Sequence, residues 1–221
     1  MAERFEIPLF PLGVVLFQGG QLPLQRFETR YLDRVSGCVR KEMPFGAVLI
    51  RSGRDARSSP NDRQPDIFEV GSEASIVNFN QLSNGRLGIV VRGGRKFRIL
   101  ESWEQPDHLL LGMVEYLPGE PEVAIGKEHQ ALVDILKELM KHPMIEKLEL
   151  DIDFNDARSV GRRLAELLPI EVEIKQSLLQ LQWPRERLSE ITRLVNKLRG
   201  YDSTNLLSAS EGDRGSGPRS V

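Results

Sequence analysis

Residues 7–12 read Ile7-Pro8-Leu9-Phe10-Pro11-Leu12, and they open the stretch that decides the fold. A second apolar piece, Leu22-Pro23-Leu24, follows the pair Gly19-Gly20, where the backbone has to turn sharply. Phe27-Glu28-Thr29-Arg30-Tyr31-Leu32 opens a stretch, 28–42, in which the apolar spacing becomes that of an amphipathic helix, and Pro44 ends it. The order of strand, turn, strand and helix predicts a mixed α and β start to the chain.

Strand and turn signals continue from this opening to about residue 117. Ala47-Val48-Leu49-Ile50 is typical of a buried strand, and Asn84-Gly85 predicts a hairpin because a type I′ turn needs positive φ twice. Gly93-Gly94 and Pro106-Asp107-His108 predict two further turns. The pattern predicts an antiparallel meander that curls into a small barrel.

The second half of the sequence is helical in pattern. Apolar residues recur at helical spacing in 127–141, after a cap at Asn155 or Asp156, in 174–181, and after Pro184, which suits the first position of a helix. Pro118-Gly119-Glu120-Pro121 has the composition of a linker. We therefore predict an α+β fold with a β-rich lobe at 5–117, a helical lobe at 122–200 and a disordered tail at 202–221.

Composition excludes several classes of protein. The 221 residues include 30 basic and 32 acidic ones, so a net charge of −2 provides no field to attract nucleic acid or an acidic membrane. Cys38 is the one cysteine, which rules out an internal disulfide, and its place on an apolar stripe favours a buried hydrophobic role. No signal-peptide pattern and no apolar run of about 20 residues occurs. We expect a cytoplasmic protein with no membrane contact.

Several short motifs occur in an order that resembles one known family. They are Phe45–Ile50, Glu69–Ala74, Asn84–Arg86 with Val91–Ile99, and Leu167–Ile170 with Ile174–Leu179 and Arg187-Leu188. Together with the opening, they resemble the N-terminal, substrate-binding domain of the Lon protease family over roughly residues 5–200.

The resemblance implies a PUA-like β pseudobarrel with one or two helices, followed by a C-terminal helical bundle. It also implies recognition of damaged or unfolded protein substrates and a contribution to oligomer assembly. The sequence contains no Gly-x-x-x-x-Gly-Lys-Ser/Thr phosphate loop. Lys175 and Ser177, two residues apart, point to different faces of a helix, so they do not suit the family's catalytic Ser-Lys pair. We expect a stand-alone, non-enzymatic protein without a cofactor that binds peptides, such as an adaptor or quality-control factor, with self-association open.

An exposed aromatic residue near a hairpin tip is the first candidate for peptide binding. Phe79 is flanked by amide side chains, and Asn80 beside it would suit the backbone of an extended peptide. Phe17, Gln18 and Leu22 at the first turn would extend the same surface. The alternative is that all five are ordinary half-buried strand residues.

A run of cations suggests an alternative, RNA-binding function. It comprises Arg86, Arg92, Arg95, Lys96 and Arg98, with no acidic residue between them, and PUA-like folds elsewhere bind RNA. Only Phe97 would be available there for base stacking, whereas RNA platforms combine cations with several aromatic faces. Outward-facing charges on a solvated sheet explain the run better.

A metal site has little support in the sequence. His108, His129 and His142 are isolated, and only Asp151 and Asp153, near His142, would share a face of an extended segment. A polar turn leading into a helix cap explains these carboxylates more simply, so we predict no metal site.

Overall fold

The structure is a computed structural model that describes residues 3–24, 44–53, 64–81, 87–146 and 150–211. Within these ranges the side chains of Asn80, Gln81, Leu87 and residues 199–211 are not described. The predicted helix at 28–42 with Cys38, and the predicted Asn84-Gly85 turn, lie outside the described residues.

Seven strands form the sheet of the described part. They are β1 (Arg4–Leu12), β2 (Gln21–Leu24), β3 (Phe45–Ser52), β4 (Asp66–Ile67), β5 (Val70–Gln81), β6 (Leu87–Glu104) and β7 (Leu110–Tyr116). Their order is β1-β7-β6-β5-β3-β4, and β2 also pairs with β6. A parallel pairing of β1 with β3, from Leu9↔Gly46 to Leu12↔Leu49, closes five of the strands into a ring. The predicted antiparallel meander is confirmed for β5, β6 and β7, and the closure explains the barrel shape.

Buried side chains of the strands form two separate clusters. In one cluster the rings of Phe10 and Phe45 lie 4.5 Å apart, centre to centre. The second cluster contains Leu9 and Phe97, which are both fully buried. Because successive strand residues point to opposite faces, Lys96 and Arg98 lie on the outer face while Phe97 fills the core.

The predicted turn at Gly93-Gly94 is wrong, because β6 continues from Leu87 to Glu104. Gly93 is instead a point of close approach. Its N–H donates to the Gly20 carbonyl at 2.9 Å, and the Gly19 N–H donates to the Gly93 carbonyl at 2.7 Å. A Cβ at Gly93 would lie 2.1 Å from the Phe17 carbonyl oxygen. Glycine here allows the turn after β1 to press onto β6.

Helices make up most of the second half. A 3-10 turn, Lys127–His129, precedes α1 (Gln130–Met140), α2 (Pro143–Glu146), α3 (Ala157–Leu167), α4 (Val172–Gln180) and α5 (Pro184–Glu211). The Asp156 side chain caps α3 by accepting a hydrogen bond from the Arg158 N–H at 3.0 Å. Pro184 begins α5, as the sequence predicts.

The helix α5 extends past residue 202, where the sequence predicts the tail to begin. Leu206, Leu207 and Ala209 are good helix formers, but residues 202–205 (Asp-Ser-Thr-Asn) are weak ones, so local propensity does not explain this extension. Residues 212–221 of the predicted tail lie outside the described residues. The division into lobes at 5–117 and 122–200 stays a prediction.

The helical core includes two side chains from the β-rich first half of the chain. Phe17, which follows β1, and Val70, at the start of β5, pack with Leu136, Leu164 and Leu188 in one buried cluster. The sheet and the helices therefore share a core and do not merely touch. Among the described residues, no helix is both long and apolar enough to cross a membrane.

Candidate functional site

A groove lies where the outer face of the sheet meets the connection between α4 and α5. Its volume is about 880 Å³. Strand register places Val70 opposite Arg98 and Arg98 opposite Glu115, so these three residues form a row across β5, β6 and β7. The remaining lining residues are Arg51, Phe68, Glu69, Tyr116, Leu117, Pro118, Gln180 and Gln182. We call this feature the seam groove.

The seam groove contains unpaired charges of both signs. Within the described part of the chain, Arg98, Glu69 and Glu115 form no ion pair. Arg51 is only loosely paired, since its Nη1 lies 3.7 Å from Asp66 Oδ2 while its guanidinium stacks 4.8 Å from the centre of the Phe68 ring. The groove thus offers charged groups, aromatic surface and the amides of Gln180 and Gln182 to a ligand.

Tyr116 is a fixed part of the groove lining. Its hydroxyl donates to Glu73 Oε1 at 2.8 Å, and the Arg95 guanidinium lies 3.7 Å from the centre of its ring. Burial, together with the hydrogen bond and negative charge of Glu73, raises the pKa of Tyr116 to about 12. The phenol therefore stays protonated and keeps its position on the β7 side of the groove.

A buried ionic cluster lies behind the groove, and Glu120 is at its centre. Arg187 donates to both carboxylate oxygens, at 2.5 and 3.0 Å, and Arg162 donates twice to Oε2, at 2.8 and 3.0 Å. Lys96 Nζ lies 2.8 Å from Glu120 Oε1. We call these four residues the Glu120 cluster, and it joins β6, the segment after β7, α3 and α5.

The Glu120 cluster is charged. Burial opposes ionisation of Glu120, but the hydrogen bond and charge of Arg187, with the charges of Arg162 and Lys96, lower its pKa to about 2. Burial also lowers the pKa of Lys96, and Glu120 opposes that shift. Lys96 Nζ faces three acceptors, namely Glu120 and the carbonyls of Leu179 and Leu181 at 3.0 and 2.9 Å. Three acceptors match the three hydrogens of an ammonium group, so we assign Lys96 as protonated.

The Glu120 cluster fixes one wall of the seam groove. Leu179 and Leu181, whose carbonyls bind Lys96, flank the groove residue Gln180. Glu120 lies two residues after Pro118, and the Gln182 side chain donates to the Pro118 carbonyl. The wall made by the α4–α5 connection is therefore tied to β6 and to the segment after β7, which gives the groove a preorganised shape.

A second set of contacts ties the first turn of the chain to the helices. Arg163 Nη2 donates to the Gln18 carbonyl at 2.8 Å, and its Nη1 pairs with Glu166. Lys175 Nζ donates to the Glu166 carbonyl at 2.7 Å. Burial raises the pKa of Glu166. The turn around Gln18 is thus anchored in the protein by its backbone.

The structure separates the five residues predicted to bind peptide. Phe17 is only 1% exposed and belongs to the helical core, so the expectation that it lies on the surface is wrong. Leu22 is half-buried against the sheet core, and the Gln18 carbonyl is engaged by Arg163. Phe79 is 49% exposed near the end of β5, whereas the Asn80 side chain lies outside the described residues.

The cations predicted for the RNA alternative are also separated. Lys96 is buried in the Glu120 cluster, where its ammonium group pairs with Glu120 and donates hydrogen bonds to the carbonyls of Leu179 and Leu181. Arg95 stacks on Tyr116. Arg92 and Arg98 are exposed, and Arg86 lies outside the described residues. The surface expected to face RNA therefore presents fewer cations than the sequence predicts.

The carboxylates considered for a metal site form a turn. Asp153 Oδ1 accepts a hydrogen bond from the Asn155 N–H at 2.8 Å, just before the cap of α3. Within the described ranges no group of three or more His, Cys, Asp or Glu side chains is arranged to hold a metal ion.

Comparison with known proteins gives one consistent family. Residues 6–197 match the family described as the ATP-dependent protease La (LON) substrate-binding domain. The chain is 24% identical over 195 residues to Lon protease 1 of Syntrophobacter fumaroxidans, covering 86% of this chain and 23% of that protein. It is 25% identical over 201 residues to Lon protease of Escherichia coli K12, covering 88% of this chain and 25% of that protein. The chain thus spans about a quarter of the length of these curated relatives.

Solved structures agree with the sequence comparison. A Lon N-terminal domain protein from Xanthomonas campestris superposes with a TM-score of 0.69 at 32% identity, covering 86% of this chain and 98% of that one. The N-terminal domain of Mycobacterium avium complex Lon protease has the same fold, with a TM-score of 0.56 at 17% identity and coverage of 85% and 96%. The α+β fold predicted from the sequence is confirmed.

Proposed function

Since the chain belongs to the family of ATP-dependent protease La (LON) substrate-binding domains, we propose that it binds unfolded or damaged proteins through short exposed segments. The matched family is defined by substrate binding, and in our proposal this chain acts by binding and not by catalysis. Its role in the cell would be that of an adaptor or quality-control factor, with self-association as a further property to measure.

Exposed apolar side chains at the end of β5 are the observation that carries this proposal. Val77 is 44% exposed and Phe79 is 49% exposed. Val77 is the extra residue where the register of β5 on β6 shifts between Ile76 and Asn78, and such a bulge redirects a side chain. Large apolar groups held outward on a rigid sheet support anchoring of apolar side chains from an unfolded partner. Affinity would be modest, because the flexible partner is ordered on binding.

Fluorescence anisotropy with labelled, unfolded protein tests the proposal. The probes are reduced, carboxymethylated α-lactalbumin and casein, compared with native, folded α-lactalbumin. We expect the wild-type protein to bind the unfolded probes and not the folded one. We also expect Phe79→Ala to weaken binding several-fold. Met144→Ala removes another exposed apolar side chain, 66% exposed on α2, and serves as the matched control. A wild-type protein that binds none of the unfolded probes would refute the proposal.

The RNA-binding alternative has less support than protein binding. Of the five cations considered for RNA binding, Lys96 forms a buried ion pair with Glu120 and the Arg95 guanidinium stacks on the Tyr116 ring. A labelled single-stranded RNA at low salt distinguishes the two functions, because binding through phosphate contacts weakens steeply as salt is added. Salt-sensitive retention of RNA, together with no binding of unfolded protein, would favour the alternative.

A further inference from the structure

We propose that the seam groove docks an extended peptide segment in which a bulky apolar side chain lies between an acidic and a basic one. This inference rests on the proposed function and deepens it, because it adds a second contact region of stated chemistry at the start of β5, whereas Val77 and Phe79 lie toward the other end of that strand. The groove volume of about 880 Å³ lies within the range of roughly 300–1,000 Å³ that is common for ligand sites.

The charges along the groove determine the chemistry of the ligand. Neighbouring strands are about 4.8 Å apart, so Glu115 lies one strand away from Arg98 in the cross-strand row. Glu69 adjoins Val70, the residue opposite Arg98 on the other side. An acidic side chain of the ligand would pair with Arg98, and a basic one would pair with Glu69 or Glu115. A purely acidic ligand would also meet two carboxylates, and a purely basic one would meet Arg98, so a mixed segment fits best.

Apolar surface in and beside the groove would hold the central side chain. Phe68 and Leu117 line the groove itself. Trp183 directly follows the groove residue Gln182 and is 58% exposed, although a tryptophan ring is costly to leave in water. Tryptophan and arginine are the residues over-represented where truncation costs most binding energy. We therefore infer that Trp183 forms the rim against which the apolar side chain packs.

Two further features suit a peptide backbone. Gln180 supplies an amide group on the wall, and Gln182, whose Nε2 donates to the Pro118 carbonyl, supplies its side-chain oxygen as an acceptor. Backbone N–H and C=O groups that leave water need such partners. The Glu120 cluster holds this wall by the carbonyls on either side of Gln180. A wall that is already ordered before binding reduces the entropy lost on association.

Three short fluorescein-labelled peptides test the ligand chemistry by anisotropy. Each has a central Leu-Phe pair, which is flanked by one Asp and one Lys, by Asp on both sides, or by Lys on both sides. We expect the mixed peptide to bind the wild-type protein about tenfold more tightly than either of the others. We expect Arg98→Glu to reverse the order, so that the Lys-flanked peptide binds best. Trp183→Ala should weaken all three by about tenfold.

Matched controls keep the groove and the proposed function separately testable. Arg92→Glu changes an exposed cation on the same strand outside the groove, and Met144→Ala changes an exposed apolar side chain on α2. Both should bind the peptides as the wild type does. If the wild type binds unfolded casein but shows no preference among the peptides, or if Arg98→Glu leaves the preference unchanged, the groove inference is wrong while the proposed function stands. If the wild type binds neither casein nor any peptide, the proposed function is wrong as well.

Discussion

Glu120 brings one negative charge to a buried place where Lys96, Arg162 and Arg187 bring three positive ones. Two backbone carbonyls from the end of α4 and its connection also bind the Lys96 ammonium group. Among the described residues, this carboxylate is therefore the one anion paired with these three buried cations. A neutral residue at this position would leave their charges without compensation.

We expect Glu120→Gln to lower the free energy of unfolding by about 3–5 kcal/mol, the usual cost of removing one partner from a buried ion pair. Urea denaturation followed by circular dichroism measures the change. Glu138→Gln is the control, because its pair with Lys141 is exposed by 70% and 69%. An exposed pair contributes little. A loss for Glu120→Gln no larger than that of the control would contradict this account of the cluster.

The same carboxylate predicts how stability depends on pH. The pKa of Glu120 is about 2 in the folded protein, below the ordinary value of 4.5 that applies to the unfolded chain. A carboxyl group whose pKa is lower in the folded protein stabilises the fold fully at pH values above its unfolded pKa. For Glu120 that stabilisation is lost as the pH falls from 4.5 toward 2. We expect urea denaturation to show a steep loss of stability between about pH 5 and about pH 2.5 in the wild type. Glu120→Gln should show a shallower loss, and an equal slope in both proteins would contradict the assignment.

The strand β6 depends on a glycine that allows another segment to approach it. A Cβ at position 93 would overlap the Phe17 carbonyl, with 2.1 Å to the oxygen. We expect Gly93→Ala to cost about 3 kcal/mol of stability, at the upper end for overpacking, because the obstacle is backbone. Thermal unfolding measures this effect. Gly119→Ala is the control, since nothing lies within 4 Å of the Cβ that it adds. Equal midpoints for the two variants would show that the turn can move away from β6.

Local pattern was sufficient to predict most of the elements. A continuous apolar run identified β3, and the turn at 106–108 marked the start of β7. Of the two predicted caps, Asn155 or Asp156, the structure uses Asp156 at the start of α3, and Pro184 begins α5 as predicted. Gly93 was misread because a glycine required for close approach looks the same in sequence as one required for a turn. Which of the two applies depends on Phe17, and that contact is made only in the folded chain.

The site was much less predictable than the elements. Glu120 lies in a segment with the composition of a linker, and its partners Arg162 and Arg187 follow 42 and 67 residues later. Hydrophobic periodicity reports the buried face of one element and carries no information about such distant pairs. The seam groove has the same origin, since its lining comes from four strands, from the segments before β5 and after β7, and from the end of α4 with the connection that follows it. Phe17 was misplaced because its burying partners are helices far along the chain.

The shared core predicts that the protein unfolds as one cooperative unit. Phe17 and Val70 pack among the helices, and the Gln176 side chain donates to the Val70 carbonyl at 2.8 Å. The two tryptophans report on the two halves, because Trp103 lies in β6 and Trp183 precedes α5. Each variant keeps one tryptophan, and circular dichroism measures how far the substitution changes its overall stability. Once the fluorescence midpoints are corrected for that change, we expect Trp103→Phe and Trp183→Phe to unfold at the same urea concentration. Separate midpoints would show that sheet and helices unfold independently.

The position of β1 has a consequence for synthesis on the ribosome. This strand is hydrogen-bonded on both sides, parallel to β3 and antiparallel to β7. A nascent chain leaves the exit tunnel from its N-terminus, so the apolar first strand emerges long before residues 110–116 exist to receive it. Until then its unsatisfied edge is a hazard for aggregation, which is greatest when translation stalls before β7. A chaperone that shields early apolar segments would therefore matter most for this protein between the synthesis of β1 and that of β7.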